Sequence, residues 1–350
     1  MVNDGSYGVD PAGTAPHSEA RQRRVTVVMY HFVRDLRRSR YPAIKGLDTE
    51  RFAGQLAYIR RHYTVVRMED VIAAIRDPGV SLPARALLLT FDDGYADHYQ
   101  QVFPLLDRLG LQGSFFPPAR AVLERRVLDV NKIHFVLAAT SDTARVVAAM
   151  DAHLTARRAA HGLASPAELR ERYAHANRWD DADVIYVKRV LQKGLPDAVR
   201  AEITDALFRE FVSDDEAAFA NELYVSLEQL QCMQRHGMHI GSHAFDHVWL
   251  DTLPADQQVK QVRASMDFLR SVGCDMSAWT MCYPYGGFDA TLLATLADHG
   301  CSLGLTTEVR IADLDADAPL TLPRLDTNDL PDRDDAPPVG WTVEAAAAGS

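Results

Sequence analysis

Residues 86–95 carry the feature that most constrains the fold, a short apolar run that stops at two adjacent carboxylates. The run Ala86–Phe91 is followed directly by Asp92, Asp93 and Gly94. Its length and composition predict a buried strand, and α/β proteins carry their chemistry where such strands end. Adjacent side chains on an extended or turning backbone point in different directions, so one aspartate can bind a metal while the other faces a substrate. A solvated Asp-Gly turn is the alternative.

Short apolar runs alternate with helical patterns along most of the chain. After Asp48, for example, Phe52, Leu56 and Ile59 recur at helical spacing. Strands that alternate with helices predict a parallel sheet. Seven strands are expected, at residues 25–30, 63–66, 86–90, 112–116, 238–242, 279–283 and 301–305. The pattern predicts an α/β fold, a deformed (β/α) barrel with about seven parallel strands, and a doubly wound open sheet is the alternative.

The alternation of strands and helices is interrupted in the middle of the chain, where only helical patterning rich in Ala, Arg, Leu and Glu occurs. A stretch of this length is not a structureless loop in a compact protein, so we expect a helical insertion. Its role as a lid, a dimer contact or part of a substrate pocket stays open. The predicted organisation is a flexible tail at 1–24, a barrel at 25–120, the insertion at 121–224, the rest of the barrel at 225–330 and a flexible tail at 331–350.

A second candidate site follows the predicted strand at 238–242. His243 and His247 are separated by three residues. Imidazole is the commonest protein ligand of zinc-like ions, and a carboxylate often completes a three-ligand site. The spacing brings both rings to one metal if the segment turns helically. Joined to one of the two aspartates, the pair predicts a His-His-Asp site, whereas surface or core histidines are the alternative for the pair alone.

Three motifs, in this order, resemble the polysaccharide deacetylase family, which is the NodB-homology group or carbohydrate esterase family four. They are Thr-Phe-Asp-Asp-Gly at 90–94, Ser-His-Ala-Phe-Asp-His at 242–247 and Tyr-Pro-Tyr-Gly at 283–286. The resemblance covers roughly residues 25–330, apart from the insertion. It implies the same deformed barrel.

The resemblance also implies roles for individual residues. Asp93, His243 and His247 would bind a divalent metal, and Asp92 would be the general base. A metal lowers the pKa of its water, so a carboxylate suffices as that base. Zinc is the expected ion, although such a site also accepts cobalt, manganese or nickel.

Two further parts of the resemblance concern the substrate. In the family, a backbone amide in the loop after the first motif helps to stabilise the oxyanion, and Tyr95 occupies that position here. Tyr283, Pro284 and Tyr285 follow a predicted strand, and proline with Gly286 predicts a tight turn over the site. We expect these three residues to contact the substrate.

The sequence departs from the family pattern near the general base. Cys282 stands where many members have an arginine, two residues before Pro284, that is thought to hold the base. Arg324 is a candidate for the missing guanidinium through a bidentate contact with Asp92, and an ordinary surface arginine is the alternative. Ala244 replaces the usual Ser or Thr of the second motif, which removes a hydroxyl but no ligand.

The general acid of the family, a late histidine in a Leu-x-His motif, is also missing, because no histidine follows His299. The candidates to protonate the leaving amine are His31, at the end of the first strand, His134 and His98. A packed or capping histidine is the alternative for each of them.

Composition narrows the partners and the location. The net charge of −11 argues against nucleic acid and against docking on an anionic membrane. Residues 1–24 lack an apolar core of signal-peptide length, and no window is long and apolar enough for a membrane span, so we expect a cytoplasmic protein. The four cysteines show no C-x-x-C spacing, which argues against a disulfide framework.

The motifs together predict a metal-dependent amide hydrolase that removes the acetyl group of an N-acetylated sugar or sugar conjugate. Two alternatives are kept. One is a metal-dependent hydrolase of a non-sugar amide in a biosynthetic pathway, and the other is a non-catalytic binding module of the same fold. The exact substrate and the oligomeric state, including a homo-oligomer, are left open.

Overall fold

The structure is a computed structural model that describes residues 23–177 and 180–347. Its strands are β1 (Arg24–Tyr30), β2 (Val33–Arg34), β3 (Leu47–Asp48), β4 (Thr64–Val65), β5 (Ala86–Asp92), β6 (Ser114–Phe116), β7 (His239–Ile240), β8 (Thr280–Cys282), β9 (Leu303–Leu305), β10 (Ala312–Asp313) and β11 (Leu325–Asp326). Its helices are α1 (Thr49–His62), α2 (Met68–Arg76), α3 (Phe103–Arg108), α4 (Ala119–Leu123), α5 (Asp129–Ala138), α6 (Thr143–His161), α7 (Pro166–Tyr173), α8 (Ala182–Arg189), α9 (Asp197–Phe211), α10 (Glu216–Leu223), α11 (Leu227–Arg235), α12 (Ala255–Val272), α13 (Ala290–Asp298) and α14 (Gly340–Ala347).

Strand β5 is the centre of the sheet, and all seven of its residues are buried. The order of the main sheet is β10, β1, β5, β6 and β7, with β11 also paired to β1 and β4 to β5. Only the pairing of β1 with β10 is antiparallel among these strands. A strand that is buried along its whole length needs cover on both faces, which a mostly parallel sheet surrounded by helices supplies.

Strands β8 and β9 form a separate parallel pair that closes the ring. Single parallel bridges link Ser242 after β7 to Met281, and Leu305 to Leu322 just before β11. Because β11 pairs with β1, the strands follow one another around a closed but irregular circuit. The predicted deformed barrel is therefore confirmed, and the open sheet is excluded.

The register of the central strands places their carboxyl ends side by side. Tyr30 of β1 lies opposite Phe91 of β5, and Asp92 lies opposite Phe116 of β6. The residues that follow these strands therefore meet at one edge of the barrel, where the candidate site lies.

Each of the seven predicted strands has a counterpart, although several are shorter than expected. The predicted strands at 112–116 and 238–242 contain three and two paired residues, respectively. Four strands were not predicted: β2, β3, β10 and β11. Each has two residues, which is too short to show an alternating pattern.

The insertion is helical, as expected, and contains α5 to α10. Its helices pack around a hydrophobic cluster of their own, in which Val146, Met150 and Leu207 are fully buried. The same cluster includes Phe32 and Tyr95 of the barrel. The insertion therefore rests on the barrel edge that carries the candidate site. The domain boundaries themselves stay a prediction.

The described structure begins and ends inside the two predicted flexible tails. Residues 1–22 lie outside the described residues, but Arg23 is buried and Arg24 begins β1. At the other end, α14 packs on the barrel, where Thr342 hydrogen-bonds the hydroxyls of Tyr58 (2.8 Å) and Tyr63 (2.9 Å). The predicted flexible tail at 331–350 is therefore wrong over α14. Thr342 and Ala345 of this helix are buried, and the Thr342 hydroxyl hydrogen-bonds two buried tyrosines.

Two further properties concern the helices and the cysteines of the described residues. None of the described helices combines the length and apolar character that crossing a membrane requires. All four cysteines are free.

Candidate metal centre

The two aspartates at the end of β5 diverge because the chain turns sharply there. Asp92 is the last residue of the strand, whereas Asp93 and Gly94 have left-handed backbones with φ of 70° and 65°. Aspartate enters this region more readily than most side chains. A Cβ at Gly94 would lie 2.5 Å from the Cβ of Pro117, so this turn requires glycine. The adjacent carboxylates consequently meet different neighbours, as the sequence predicted.

His243 and His247 are brought together by a loop rather than by a helix. The segment after β7 has no helical turn, and the expected helical turn was wrong. Instead, Ala244 and His247 have left-handed backbones with φ of 60° and 55°, and the chain changes direction sharply at these two residues. The two imidazole ring centroids lie 4.8 Å apart. The four-residue spacing therefore pairs the rings through loop geometry.

Asp93 lies between these two rings. Its Oδ1 atom is 3.5 Å from Nε2 of His243 and 3.2 Å from Nε2 of His247. All three side chains are buried. Nδ1 of His243 donates a hydrogen bond of 2.8 Å to the carbonyl oxygen of Cys282, which leaves Nε2 of a neutral ring with its lone pair toward Asp93. The three predicted ligands are therefore gathered at one point.

This group fits a divalent cation. One carboxylate oxygen and two imidazole nitrogens lie within 4.8 Å of one another in a buried position. Oδ1 of Asp93 is buried and has no hydrogen-bond partner, which is costly unless a cation satisfies it. Three protein ligands of this kind leave a coordination position open, as catalytic zinc sites require. The identity of the ion does not follow from this ligand set.

Asp92 lies in a different environment, because Arg324 binds both of its oxygens. The guanidinium donates from Nη1 to Oδ1 at 2.9 Å and from Nη2 to Oδ2 at 2.8 Å. Both side chains are almost fully buried, so the predicted bidentate contact is confirmed and the surface alternative is wrong. Arg324 also donates to the carbonyl oxygen of Thr306 at 2.9 Å.

The pKa of Asp92 results from two opposing effects. Burial alone would raise it, but the adjacent charge and hydrogen bonds of Arg324 outweigh burial, and the pKa is lowered to about 2. Cys282 adds a weak hydrogen bond, with its thiol 3.4 Å from Oδ2 of Asp92. Burial raises the pKa of that thiol, so it remains a protonated donor. Asp92 is thus held ionised by groups that are distant in sequence.

The three candidate acids have different positions. His98 is fully buried, its Nε2 hydrogen-bonds the carbonyl oxygen of His31 at 2.8 Å, and burial lowers its pKa to about 4. Its proposed role as an acid was therefore wrong, because the ring is buried and hydrogen-bonds the backbone of the residue that follows β1. His134 is half-buried, and burial lowers its pKa to about 4 as well. His31 is exposed and directly follows β1.

The third motif places only one of its aromatic residues at the site. Tyr283 is fully buried, and its hydroxyl donates to the carbonyl oxygen of Leu320 at 2.8 Å, so its predicted substrate contact was wrong. Pro284 is buried too. Tyr285, with φ of 58°, packs its ring edge-on against His247 at 4.8 Å and stacks on Trp249 at 4.7 Å. Trp249 was missed, although it follows the second motif by two residues.

A cavity of about 250 Å³ lies between the barrel and the insertion. The barrel contributes His247, Trp249 and Tyr285, and the insertion contributes Lys132 and Arg200, among others. A second cavity of about 320 Å³ shares Trp249 and Arg200 with the first. One of the three candidate ligands, His247, therefore lines a cavity that is formed jointly by the barrel and the insertion.

Tyr95 contributes a contact that sequence reasoning missed. Its hydroxyl is buried and donates to Oδ2 of Asp93 at 2.5 Å. The side chain therefore orients a candidate metal ligand, whereas the expected role concerned the backbone amide. That role stays a prediction. A tyrosine two residues after the second aspartate was the only sequence signal for the contact.

Comparison with known proteins agrees with this geometry. The model of the polysaccharide deacetylase family matches residues 79–153 and 210–304. The matched segments contain both aspartates and both histidines of the site, and the gap between them lies within the insertion. The chain is a relative of the polysaccharide deacetylases. The resemblance seen in its motifs is confirmed.

Solved structures place this deacetylase relative in the same fold. A deacetylase of Streptococcus pyogenes, PplD in complex with acetate, is 18% identical over 87% of this chain and 92% of its own, with a TM-score of 0.53. IcaB from Ammonifex degensii is 20% identical over 94% and 99%, with a TM-score of 0.52. A de-N-acetylase from Aggregatibacter actinomycetemcomitans is 16% identical over 92% and 98%, with a TM-score of 0.52. No curated protein matches the chain.

Proposed function

We propose that this protein is a metal-dependent N-deacetylase that hydrolyses the acetamide of an N-acetylated sugar or sugar conjugate. The observation that carries the proposal is the buried group of Asp93, His243 and His247 directly beside an ionised Asp92. A metal-binding group and a separate carboxylate base are what amide hydrolysis by a metal site needs. A fold-only binding module has no need to keep both.

The side chains divide the work of the reaction. Asp93, His243 and His247 would hold a divalent ion, which would supply a Lewis acid for the amide carbonyl. Asp92 accepts a proton from the attacking water, because a carboxylate keeps free lone pairs after binding one guanidinium. Arg324 keeps that carboxylate ionised and fixes its orientation. The backbone amide of Tyr95 is retained as the proposed donor to the oxyanion.

We assign the general acid to His31. Its imidazole is exposed, and the residue directly follows β1, whose carboxyl end lies beside the end of β5 that carries Asp92 and Asp93. His134 remains the second candidate, but its lowered pKa leaves it without a proton to donate near neutral pH.

The sugar part of the proposal rests on the surroundings of the site and on its structural relatives. Tyr285 and Trp249 form a stacked aromatic pair at the cavity, and aromatic faces offer large apolar contact area with little loss of side-chain freedom. Two of the similar structures are described as a deacetylase with acetate and a de-N-acetylase. Zinc is the metal that we propose, with cobalt, manganese or nickel as alternatives. The cytoplasmic location stays a prediction, and the oligomeric state stays open.

The proposal is tested by measuring metal content together with acetate release from N-acetylated sugars, sugar conjugates and oligomers. We expect Asp92→Asn to keep its metal while its rate falls by about 10²–10⁴-fold, the usual contribution of a general base. His243→Ala should lose the metal, whereas His236→Ala, at an exposed histidine outside the site, should behave as wild type. A metal-loaded protein that is inert on every sugar would redirect the search to non-sugar amides. A protein that binds no metal would favour the binding module.

A further inference from the structure

We propose that the helical insertion positions the metal ligand Asp93 through a chain of buried hydrogen bonds that runs from Tyr224 through Asn131 to Tyr95. The inference rests on the proposed metal site and goes beyond it, because it gives the insertion a role. The insertion is then a structural part of the metal centre rather than a detachable lid.

The chain of hydrogen bonds is continuous and buried. The amide of Leu128 donates to the hydroxyl of Tyr224 at 3.0 Å, and that hydroxyl donates to Oδ1 of Asn131. Nδ2 of Asn131 donates to the hydroxyl of Tyr95 at 2.7 Å, and Tyr95 donates to Oδ2 of Asp93 at 2.5 Å. Asn131 is completely buried, so its side-chain amide cannot hydrogen-bond solvent instead.

The direction of every bond is fixed by the two ends of the chain. A carboxylate only accepts, so Tyr95 must donate to Asp93, and its oxygen must therefore accept from an N–H of Asn131. A backbone N–H only donates, so the Tyr224 hydroxyl accepts a hydrogen bond from Leu128 and donates its own O–H to Oδ1 of Asn131. The asparagine consequently has a single orientation that satisfies both sides.

The chain fixes which oxygen of Asp93 faces the histidines. With Oδ2 occupied by Tyr95, Oδ1 is left toward the Nε2 atoms of His243 and His247. Hydrogen bonds that orient ligating groups are a known determinant of metal affinity, and their loss typically weakens binding by about 10–100-fold. Phe32, stacked on the Tyr95 ring at 3.8 Å, restrains the same side chain.

The segments that lead into and out of the insertion also bond directly to both ligand loops. The amide of Arg120 donates to the carbonyl oxygen of Phe245 at 2.9 Å, inside the His243–His247 loop. On the other side, the amide of Val225 donates to the carbonyl oxygen of Gly94 at 3.0 Å. The insertion is thus tied to the backbone of both loops and to the side chain of one ligand.

The test is the metal dissociation constant of the metal-free protein, measured with zinc by competition against a chromophoric chelator. We expect Tyr95→Phe to weaken zinc binding by about 10–100-fold. Tyr224→Phe, which changes only the insertion, should weaken it in the same direction by a smaller factor. The matched control is Tyr186→Phe, because that tyrosine is also buried in the insertion but donates to Asp151 away from the site. It should bind zinc as wild type does.

Thermal unfolding of the metal-free variants separates positioning from general damage to the fold. Tyr224→Phe and Tyr186→Phe each lose one buried hydroxyl, so both should unfold at a somewhat lower temperature, while only Tyr224→Phe loses zinc affinity. Equal zinc affinity in Tyr95→Phe, Tyr224→Phe and wild type would overturn the inference, as would an equal loss in the Tyr186→Phe control.

The outcome is distinguishable from failure of the proposed function. If the affinity series behaves as expected but no amide is hydrolysed, the deacetylase proposal fails and the positioning role stands. If wild type hydrolyses an amide and the affinity series is flat, the positioning role fails and the function stands. A wild-type protein without zinc affinity overturns the positioning role.

Discussion

Asp92 and Asp93 are neighbours in the chain, yet their carboxylates lie in two different environments of the site. The two environments differ in whether a side chain of the protein neutralises the negative charge. On the Asp92 side, the protein supplies its own cation, because Arg324 binds both carboxylate oxygens. On the Asp93 side, Tyr95 supplies only a neutral donor, and Oδ1 faces two imidazole nitrogens. The charge of Asp92 is thus neutralised by an arginine of the protein, whereas Asp93 is the candidate ligand of an added cation.

This difference explains how two identical side chains can have separate roles. A buried carboxylate that is paired with a guanidinium stays ionised and does not need a metal. A buried carboxylate without a protein cation is stabilised when a metal binds. The division depends on the left-handed turn at Asp93 and Gly94, which sends the second side chain away from Arg324.

The largest effect is expected from removing the cation on the Asp92 side. Arg324→Met leaves Asp92 buried and unpaired, and we expect the free energy of unfolding to fall by about 3–5 kcal/mol in urea denaturation of the metal-free protein. Arg310→Met, at a more exposed arginine, should cost no more than about 1 kcal/mol. The double variant Asp92→Asn/Arg324→Met should recover part of the loss. A loss in Arg324→Met no larger than in the Arg310 control would contradict the comparison.

The pH dependence of stability sharpens the same contrast. The pKa of Asp92 is lowered from 3.8 to about 2 in the folded protein. A folded-state pKa below the unfolded value stabilises the protein above about pH 4, and this stabilisation, on the order of 2 kcal/mol, is lost as the pH falls toward 2. Asp92→Asn should flatten the fall in unfolding free energy across this window. An unchanged slope in urea unfolding series at several pH values would show that Arg324 does not hold the carboxylate ionised.

The smallest effect is expected at the thiol beside Asp92. Cys282→Ser keeps a donor in place of the thiol, whereas Cys282→Ala removes it. Because Arg324 already binds both oxygens, we expect either variant to change the free energy of unfolding by no more than about 1 kcal/mol. Acetate release should fall far less than in Asp92→Asn. A collapse of activity in Cys282→Ala with stability intact would assign the thiol a larger part in holding the base.

Much of the fold was predictable from the sequence because its signals are local. The apolar run of β5 and the helical spacing of α1 appear in short windows, and both elements lie where they were expected. Strands β2, β3, β10 and β11 and helix α14 were not predicted, because contacts with partners distant in the chain stabilise them and no local pattern marks them. No sequence motif marks Thr342 of α14, but in the fold its hydroxyl hydrogen-bonds the hydroxyls of two tyrosines.

The candidate site divides along the same line. Its three ligands and Asp92 were named from motifs, in which residue type and short spacing carry the information. Tyr283 was misplaced because a motif does not tell which side of a turn faces the core. His98 was misplaced for a similar reason, since its partner is a backbone carbonyl of another strand end. Asn131 was not considered at all, because it lies in the insertion, where no motif marks it.

Residue order, motifs and hydrophobic period in this chain were enough to predict the barrel class, the helical nature of the insertion and the three residues that the fold gathers as candidate metal ligands. They were not enough to establish what surrounds each ligand. Arg324 lies 232 residues from Asp92 along the chain, and Asn131 lies 36 residues from Tyr95. Contacts of this kind depend on strand register and packing, in which a carboxylate takes whichever partner the closed barrel brings to it. The folded chain therefore pairs Asp92 with a guanidinium and places Asp93 beside two imidazoles, as a candidate metal ligand.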